Sequence, residues 1–182
     1  MRIVGGQWRG RKLADLGTGD LSARLRPTSD RVREAIFNIL IAAGDPVTGA
    51  RVLDLFAGTG ALGLEALSRG ASQAVFVDNG TAARALLRDN IAKCGAQAAA
   101  TVFRRDATQM GDARGAFDLV FLDPPYGQGL GEKALNSANA GQWLARGACI
   151  VWEDSQPMTA PGFEVHDKRR YGDTWISFLF LP

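Results

Sequence analysis

The sequence predicts an α/β fold in which a mostly parallel sheet carries helices on both faces. Three observations predict it. From residue 51 onward, short apolar runs of strand length alternate with stretches of helical periodicity. A glycine-rich loop, Gly58-Thr59-Gly60-Ala61-Leu62-Gly63, joins the first run to the helix after it. The chain has 182 residues, 46% of them hydrophobic and 22% charged. That suits one domain with its own core and excludes a disordered chain.

The elements follow in order. Residues 1–13 alternate loosely around Gly5-Gly6, which predicts a strand, a turn and a second strand. Residues 14–26 are glycine-rich and polar and predict a loop, with a further short strand as the alternative. Pro27-Thr28-Ser29 opens a helix whose apolar residues fall at 32, 35, 36, 39 and 40, and which stops near Gly44-Asp45-Pro46. Val52-Leu53-Asp54-Leu55-Phe56 reads as a buried strand, followed by the glycine loop and a helix to Arg69, with Gly70 as its left-handed cap. A strand at 74–77, a helix at 81–94 closed by Gly95, and strands at 101–103 and 117–122 come next. The last of these ends at Asp123-Pro124-Pro125-Tyr126. Residues 130–145 predict a helix and 148–152 a fifth strand. The runs 163–169 and 174–181 flank Tyr171-Gly172-Asp173 as an antiparallel hairpin.

Several function classes are excluded early. The longest apolar runs, such as 175–181, fall short of the ~18–20 residues of a membrane span. No secretion signal opens the sequence, so a cytoplasmic location is expected. Cys94 and Cys149 form neither a metal motif nor a disulfide framework, and the one histidine, His166, has no cysteine near it. A zinc site lacks ligands, and chemistry that needs a histidine base is disfavoured.

Charge is distributed unevenly. Residues 1–33 hold eight bases against three acids, a net +5, which leaves −3 for the rest of a chain whose total is +2. Such asymmetry predicts a polyanion contact at the N-terminal end. Arg9, Arg11 and Lys12 are the candidate phosphate contacts, with Arg2 and Arg26 as helpers. A merely solvated basic surface is the alternative. The run Lys168-Arg169-Arg170 is balanced between the same two readings.

The glycine loop points to a nucleoside ligand. Its glycines let the backbone approach closely, and Asp78, twenty residues past Gly58, suits a ribose diol. Asp54 sits four residues before Gly58, where a carboxylate repels a pyrophosphate but attracts an ammonium. That combination favours S-adenosylmethionine over a dinucleotide. Asp106, after the third strand, can accept from an adenine amino group or can be a solvated loop acid.

Asp123-Pro124-Pro125-Tyr126 is the most specific feature. Two prolines directly after a buried strand cannot continue the sheet, and they hold a stiff turn where ligands bind in open α/β folds. A carboxylate, backbone carbonyls without neighbouring donors and an aromatic face suit an exocyclic amino group on a nucleobase. Methyl transfer from a sulfonium needs no histidine, cysteine or metal. It needs the nitrogen held in line with the methyl, and the base unpaired or flipped out of its helix. Trp152-Glu153-Asp154, at the end of the fifth strand, is divided between approaching this pocket and a structural role.

Asp54-Leu55-Phe56-Ala57-Gly58-Thr59-Gly60 together with Asp123-Pro124-Pro125-Tyr126 resembles class I S-adenosylmethionine-dependent amino-methyltransferases. Residues 2–13, 26–38 and Tyr171-Gly172 narrow the resemblance to the bacterial 16S ribosomal RNA guanine-N2 methyltransferases, over essentially the whole chain. The resemblance implies a Rossmann-like, mostly parallel sheet of seven strands with a C-terminal antiparallel hairpin. It also implies a small N-terminal β extension (1–26) for RNA ahead of a methyltransferase domain (27–182). It places Asp54, Phe56, Ala57, Gly58 and Gly60 in the cofactor loop, Asp78 and Asn79 at the ribose, Asp106 and Ala107 beside the adenine, and Asp123 to Tyr126 around the guanine. Asn79-Gly80 departs from the family, which more usually has a longer polar residue there. The implied partner is 16S ribosomal RNA or the small subunit, met by a monomer without metal or membrane. Two rivals stay open: a DNA adenine or cytosine amino-methyltransferase, and a non-catalytic ribosome-assembly module that binds RNA. A nicotinamide oxidoreductase is disfavoured by Asp54 and the proline turn.

Overall fold

The computed structural model describes residues 1–15 and 28–182. The strands are β1 (Arg51–Leu55), β2 (Gln73–Val77), β3 (Ala100–Phe103), β4 (Phe117–Leu122), β5 (Leu144–Asp154), β6 (Glu164–Tyr171) and β7 (Thr174–Phe180). The helices are α1 (Asp30–Ala42), α2 (Ala61–Ser68), α3 (Thr81–Cys94) and α4 (Leu130–Ala140). Among the described residues the strands form one sheet in the order β3-β2-β1-β4-β5-β7-β6. Neighbours are parallel from β3 through β5, and β7 runs antiparallel to both β5 and β6. This is the seven-stranded class I methyltransferase sheet that the family resemblance implies.

Strand alternation divides the core. Val52, Phe76, Phe121 and Val151 point to one face, where Ile36, Phe37 and Leu40 of α1, Leu64 and Leu67 of α2, and Leu87 and Ile91 of α3 cover them. Leu53, Leu55, Val120, Leu122, Ile150 and Trp152 point to the other, under Ala134, Leu135 and Ala138 of α4. From β1 the chain steps outward to β2 and β3, then returns to place β4 on the free side of β1. The ends of β1 and β4 therefore lie side by side, with Asp54 opposite Phe121 and Leu55 opposite Leu122. Ligands bind in the crevice at such a reversal of strand order. The glycine loop and the Asp-Pro-Pro-Tyr turn both spring from it.

Two expectations need correction. The helix predicted over 130–145 ends at Ala140. Gln142 takes a left-handed φ of 60°, Trp143 donates its ring N–H to the Gly111 carbonyl at 2.7 Å, and Leu144 pairs with Phe117 in the sheet. Apolar Trp143 and Leu144 continue the helical pattern in sequence, but the chain has already left the helix. The paired strands predicted over 1–13 reduce to a single antiparallel bridge, Arg2 with Lys12, around a 3-10 turn at Gly6–Trp8. The reason is competition for donors. The N–H groups of Val4 and Gly5 are taken by the two oxygens of the buried Glu65 carboxylate on α2, at 2.8 and 2.7 Å.

Residues 1–15 are thus fastened to the sheet-covering helices. Ile3 and Leu13 are buried in the α1–α3 face of the core. The Trp8 N–H donates to Ser68 Oγ (3.0 Å), and Asn90 brackets Ala14 by accepting its N–H (2.7 Å) and donating to its carbonyl (3.0 Å).

Candidate active site

The glycine loop is shaped by two aspartates. Asp54, the fourth residue of β1, is only 2% exposed and accepts the Gly63 N–H at 3.0 Å, tying the strand to the first turn of α2. A Cβ at Gly63 would meet the Phe76 ring at 2.4 Å, so this close packing of helix on strand requires glycine. Asp78, just past β2, accepts from Gly58 N–H (2.9 Å) with one oxygen and from Gly80 N–H (2.7 Å) with the other. Phe56 between them holds a left-handed φ of 60°, a costly conformation for a non-glycine residue that clusters at ligand sites.

The proline turn carries the second half. Asp123 leaves β4 beside Asp54. Burial, and then the charges of Glu153, Asp54 and Asp154, raise its carboxyl well above the usual carboxylate range. The Tyr126 hydroxyl donates to Glu153 Oε1 (3.2 Å) and lies 3.3 Å from Thr174 Oγ1 on β7. The hydroxyl of Thr28, just before α1, donates to Glu153 Oε2 at 2.7 Å.

Both halves open on one cavity of about 560 Å³. Of the residues expected there, Asp54, Phe56, Ala57, Gly58, Asp78, Asn79, Ala107, Asp123, Pro124, Pro125 and Tyr126 line it. Gly60 and Asp106 do not. Gly60 adopts φ 78° at the start of α2 and donates its N–H to the Ala57 carbonyl, so it shapes the loop from behind. Asp106 turns its carboxylate onto the Thr108 N–H (2.8 Å) and hydroxyl (2.7 Å), leaving Ala107 and Arg105 on the wall. An Asp-x-Thr turn of this kind is itself a sequence signal. Thr28, Thr81 and Arg105 also line the cavity; the sequence offers Thr28 only within the helix start and the 26–38 segment, and no motif marks Thr81 or Arg105.

The chemistry of the lining is one-sided. Three carboxyl groups face the cavity against a single cation, Arg105, among the described residues. Such a wall offers acceptors to a cationic ligand with hydroxyl donors, and its one cation gives little to hold a pyrophosphate. Neither cysteine offers a nucleophile: both are buried, and burial pushes the Cys149 thiol up to about 12.

Asp54 makes the site pH-sensitive. Burial, opposed by the Gly63 hydrogen bond and reinforced by the Asp78 charge, pushes its carboxyl up to about 8. Aspartates of an unfolded chain titrate near ~3.9. Between those values the folded state holds a proton that the unfolded chain has lost, so stability from this group is full at low pH and drains away as the pH rises. We expect the melting temperature of the ligand-free protein to fall from about pH 4 to about pH 8 and to level off above that. Asp54→Asn should make that slope shallower without abolishing it, since Asn keeps an acceptor for Gly63 and the raised Asp123 carboxyl contributes in the same direction. An unchanged slope in the variant contradicts a buried proton on Asp54.

The expected RNA-contacting cations lie outside the cavity. Arg2, Arg9, Arg11 and Lys12 are exposed, while Arg26 falls outside the described residues. Arg2 approaches Asp30 at 3.6 Å, and Arg11 donates to the Lys93 carbonyl at 2.8 Å. Arg33, counted among the basic N-terminal residues, is fully buried against Asp30 and the Thr28 and Arg2 carbonyls, so its charge serves the fold.

The sequence matches the family described as Conserved hypothetical protein 95 over residues 1–180. The chain belongs to this family. It is similar to relatives named Ribosomal RNA small subunit methyltransferase D. The Escherichia coli K12 protein of that name is 42% identical over 176 residues, covering 94% of this chain and 85% of the relative. The Haemophilus influenzae protein is 36% identical over 167 residues, covering 88% and 83%. Among solved structures, the Escherichia coli protein yhhF, described as a putative methyltransferase, superposes with a TM-score of 0.83 at 38% identity, covering all of this chain and 97% of its own. A Thermus thermophilus protein gives 0.74 at 30% identity, covering 98% of each chain. The resemblance read from the two motifs is therefore correct at the level of family, and the Conserved hypothetical protein 95 fold is the class I methyltransferase fold.

Proposed function

We propose that this chain transfers a methyl group from S-adenosylmethionine to the exocyclic N2 amino group of a guanine in small-subunit ribosomal RNA. The observation that carries the reading is the meeting of Asp54, Asp78 and the Asp123-Pro124-Pro125-Tyr126 turn on one cavity at the strand-order reversal. The names of the relatives supply the substrate class.

The lining fits the donor. Asp54 suits the methionyl ammonium, Asp78 the ribose diol, and the apolar walls at Phe56, Val77 and Ala107 the adenine. When bound, S-adenosylmethionine supplies a methyl group on sulfonium, a good leaving group. The chain's own task is to hold the amine. One Asp123 oxygen accepts from the N2 amino group and the other from the adjacent N1–H. Adenine and cytosine carry an acceptor at that neighbouring ring position, so a carboxyl group here favours guanine. The nitrogen becomes cationic as it attacks. Asp123, hydrogen-bonded to the amine, stabilises that charge; the electron pair of the broken sulfur–methyl bond stays on sulfur, and the extra proton on nitrogen passes to solvent. Tyr126 offers its ring as a stacking face. Small-subunit RNA from cells lacking this protein should lack one N2-methylguanosine by mass spectrometry; an unchanged nucleoside profile contradicts the assignment.

We assign residues 1–26 as the RNA-contacting extension and 27–182 as the methyltransferase domain. Because residues 1–15 are hydrogen-bonded to α2 and α3, deletion would expose core, and point substitutions are the fair test. Arg9, Arg11 and Lys12 changed together to Ala should weaken RNA binding and leave cofactor affinity intact. Each lost phosphate contact should remove about 0.7–0.9 from the slope of log affinity against log salt. A triple variant that binds RNA like the parent across a salt series rules out these contacts.

A further inference from the structure

Glu153 is a charged residue that is 6% exposed, close to the end of β5. It does not line the cavity, yet two residues that do, Tyr126 and Thr28, donate their hydroxyls to its two carboxylate oxygens. Those donors come from different places: the turn after β4 and the residue that leads into α1. Thr28 is held in turn, since its carbonyl accepts from the buried Arg33 guanidinium at 2.7 Å. Thr174 on β7 meets the Tyr126 hydroxyl from the other side.

The Tyr126 ring needs such an anchor. Beyond it the chain runs through Gly127 and Gly129, both at left-handed φ and exposed, before α4 begins at Leu130, so the ring's anchor is the hydrogen bonding of its hydroxyl. Burying a carboxylate is unfavourable unless it is well hydrogen-bonded, and an apolar residue would join β5 to its neighbours at lower cost. A carboxylate is suited to gripping two hydroxyls at once. Orientation of the reacting base controls rate steeply, because small misplacements forfeit the advantage of proximity.

We propose that Glu153 is a positioning residue for methyl transfer, fixing the Tyr126 ring as one wall of the base pocket while Thr28 fixes Glu153. The inference rests on the reading that Tyr126 faces the substrate base. Its test is a double-mutant cycle on kcat with small-subunit RNA as substrate. Glu153→Ala should lower kcat about tenfold and leave the Kd for S-adenosylmethionine within about twofold, because the lost contact orients the ring and touches no cofactor. Tyr126→Phe keeps the ring and removes the hydroxyl, so it should lose a similar factor. The double variant should lose no more than the worse single one, since both remove the same contact. Glu153→Gln, which retains an acceptor for Tyr126 and a partner for the Thr28 hydroxyl, should recover most of the rate. Multiplicative losses, or Tyr126→Phe at the parent's kcat, overturn the inference. If Glu153→Ala fails to fold, Tyr126→Phe and Glu153→Gln decide it alone. A parent protein that binds cofactor but methylates no RNA overturns the functional reading instead.

Discussion

Asp123→Ala should bind S-adenosylmethionine almost as the parent does and lose methyl transfer by about 10²–10³-fold, the usual effect of removing one preorganised polar contact to a transition state. The split follows from where Asp123 stands. It leaves β4, whereas the loop proposed to cradle the cofactor leaves β1 and is held by Asp54 and Asp78. Burial and the neighbouring acids already hold the Asp123 carboxyl toward its protonated form in the ligand-free site, so its removal should not unfold the protein. Calorimetry and single-turnover rates check the two halves separately. Methyl transfer within a few-fold of the parent removes Asp123 from the mechanism.

The second large effect is on affinity. Asp78→Ala should weaken binding of S-adenosylmethionine and its demethylated product by about 100-fold or more, since hydrogen bonds to a charged group contribute ~1.5–3 kcal/mol each. Two losses combine. The ribose loses its acceptor, and the Gly58 and Gly80 N–H groups that Asp78 holds at 2.9 and 2.7 Å lose theirs, so the loop is no longer preset. Asp78→Asn keeps one acceptor and should fall between the two. Calorimetry that finds Asp78→Ala within threefold of the parent contradicts the ribose assignment.

What is legible in the sequence, and what is not, follows the range of the interactions. α3 and β4 have the bounds expected of them, because a left-handed Gly95 cap and a mostly apolar run, broken only by exposed Asp118, are local signals. The two motifs name nine of the twenty-one residues of the cavity wall for the same reason. The N-terminal segment departs from its local pattern because the partner of Val4 and Gly5 is Glu65, some 60 residues away. Nothing local announces that a helix carboxylate will take donors from a strand ladder. Glu153 is equally hidden between pocket and framework. Its contacts to Thr28 and Tyr126 span 125 and 27 residues, and only the folded sheet brings them together. Asp106 shows the converse: its family position suggests adenine, while the local Asp-x-Thr turn claims its carboxylate.

The most direct measurement supplies methyl-labelled S-adenosylmethionine and the purified protein to small-subunit RNA, naked or assembled, from cells that lack this protein. The RNA is then digested to nucleosides and the label located by mass spectrometry. The account predicts label in N2-methylguanosine alone, and none when Asp123→Ala replaces the parent. Label in an adenine- or cytosine-derived nucleoside, or no label from a protein that binds the donor, would contradict it.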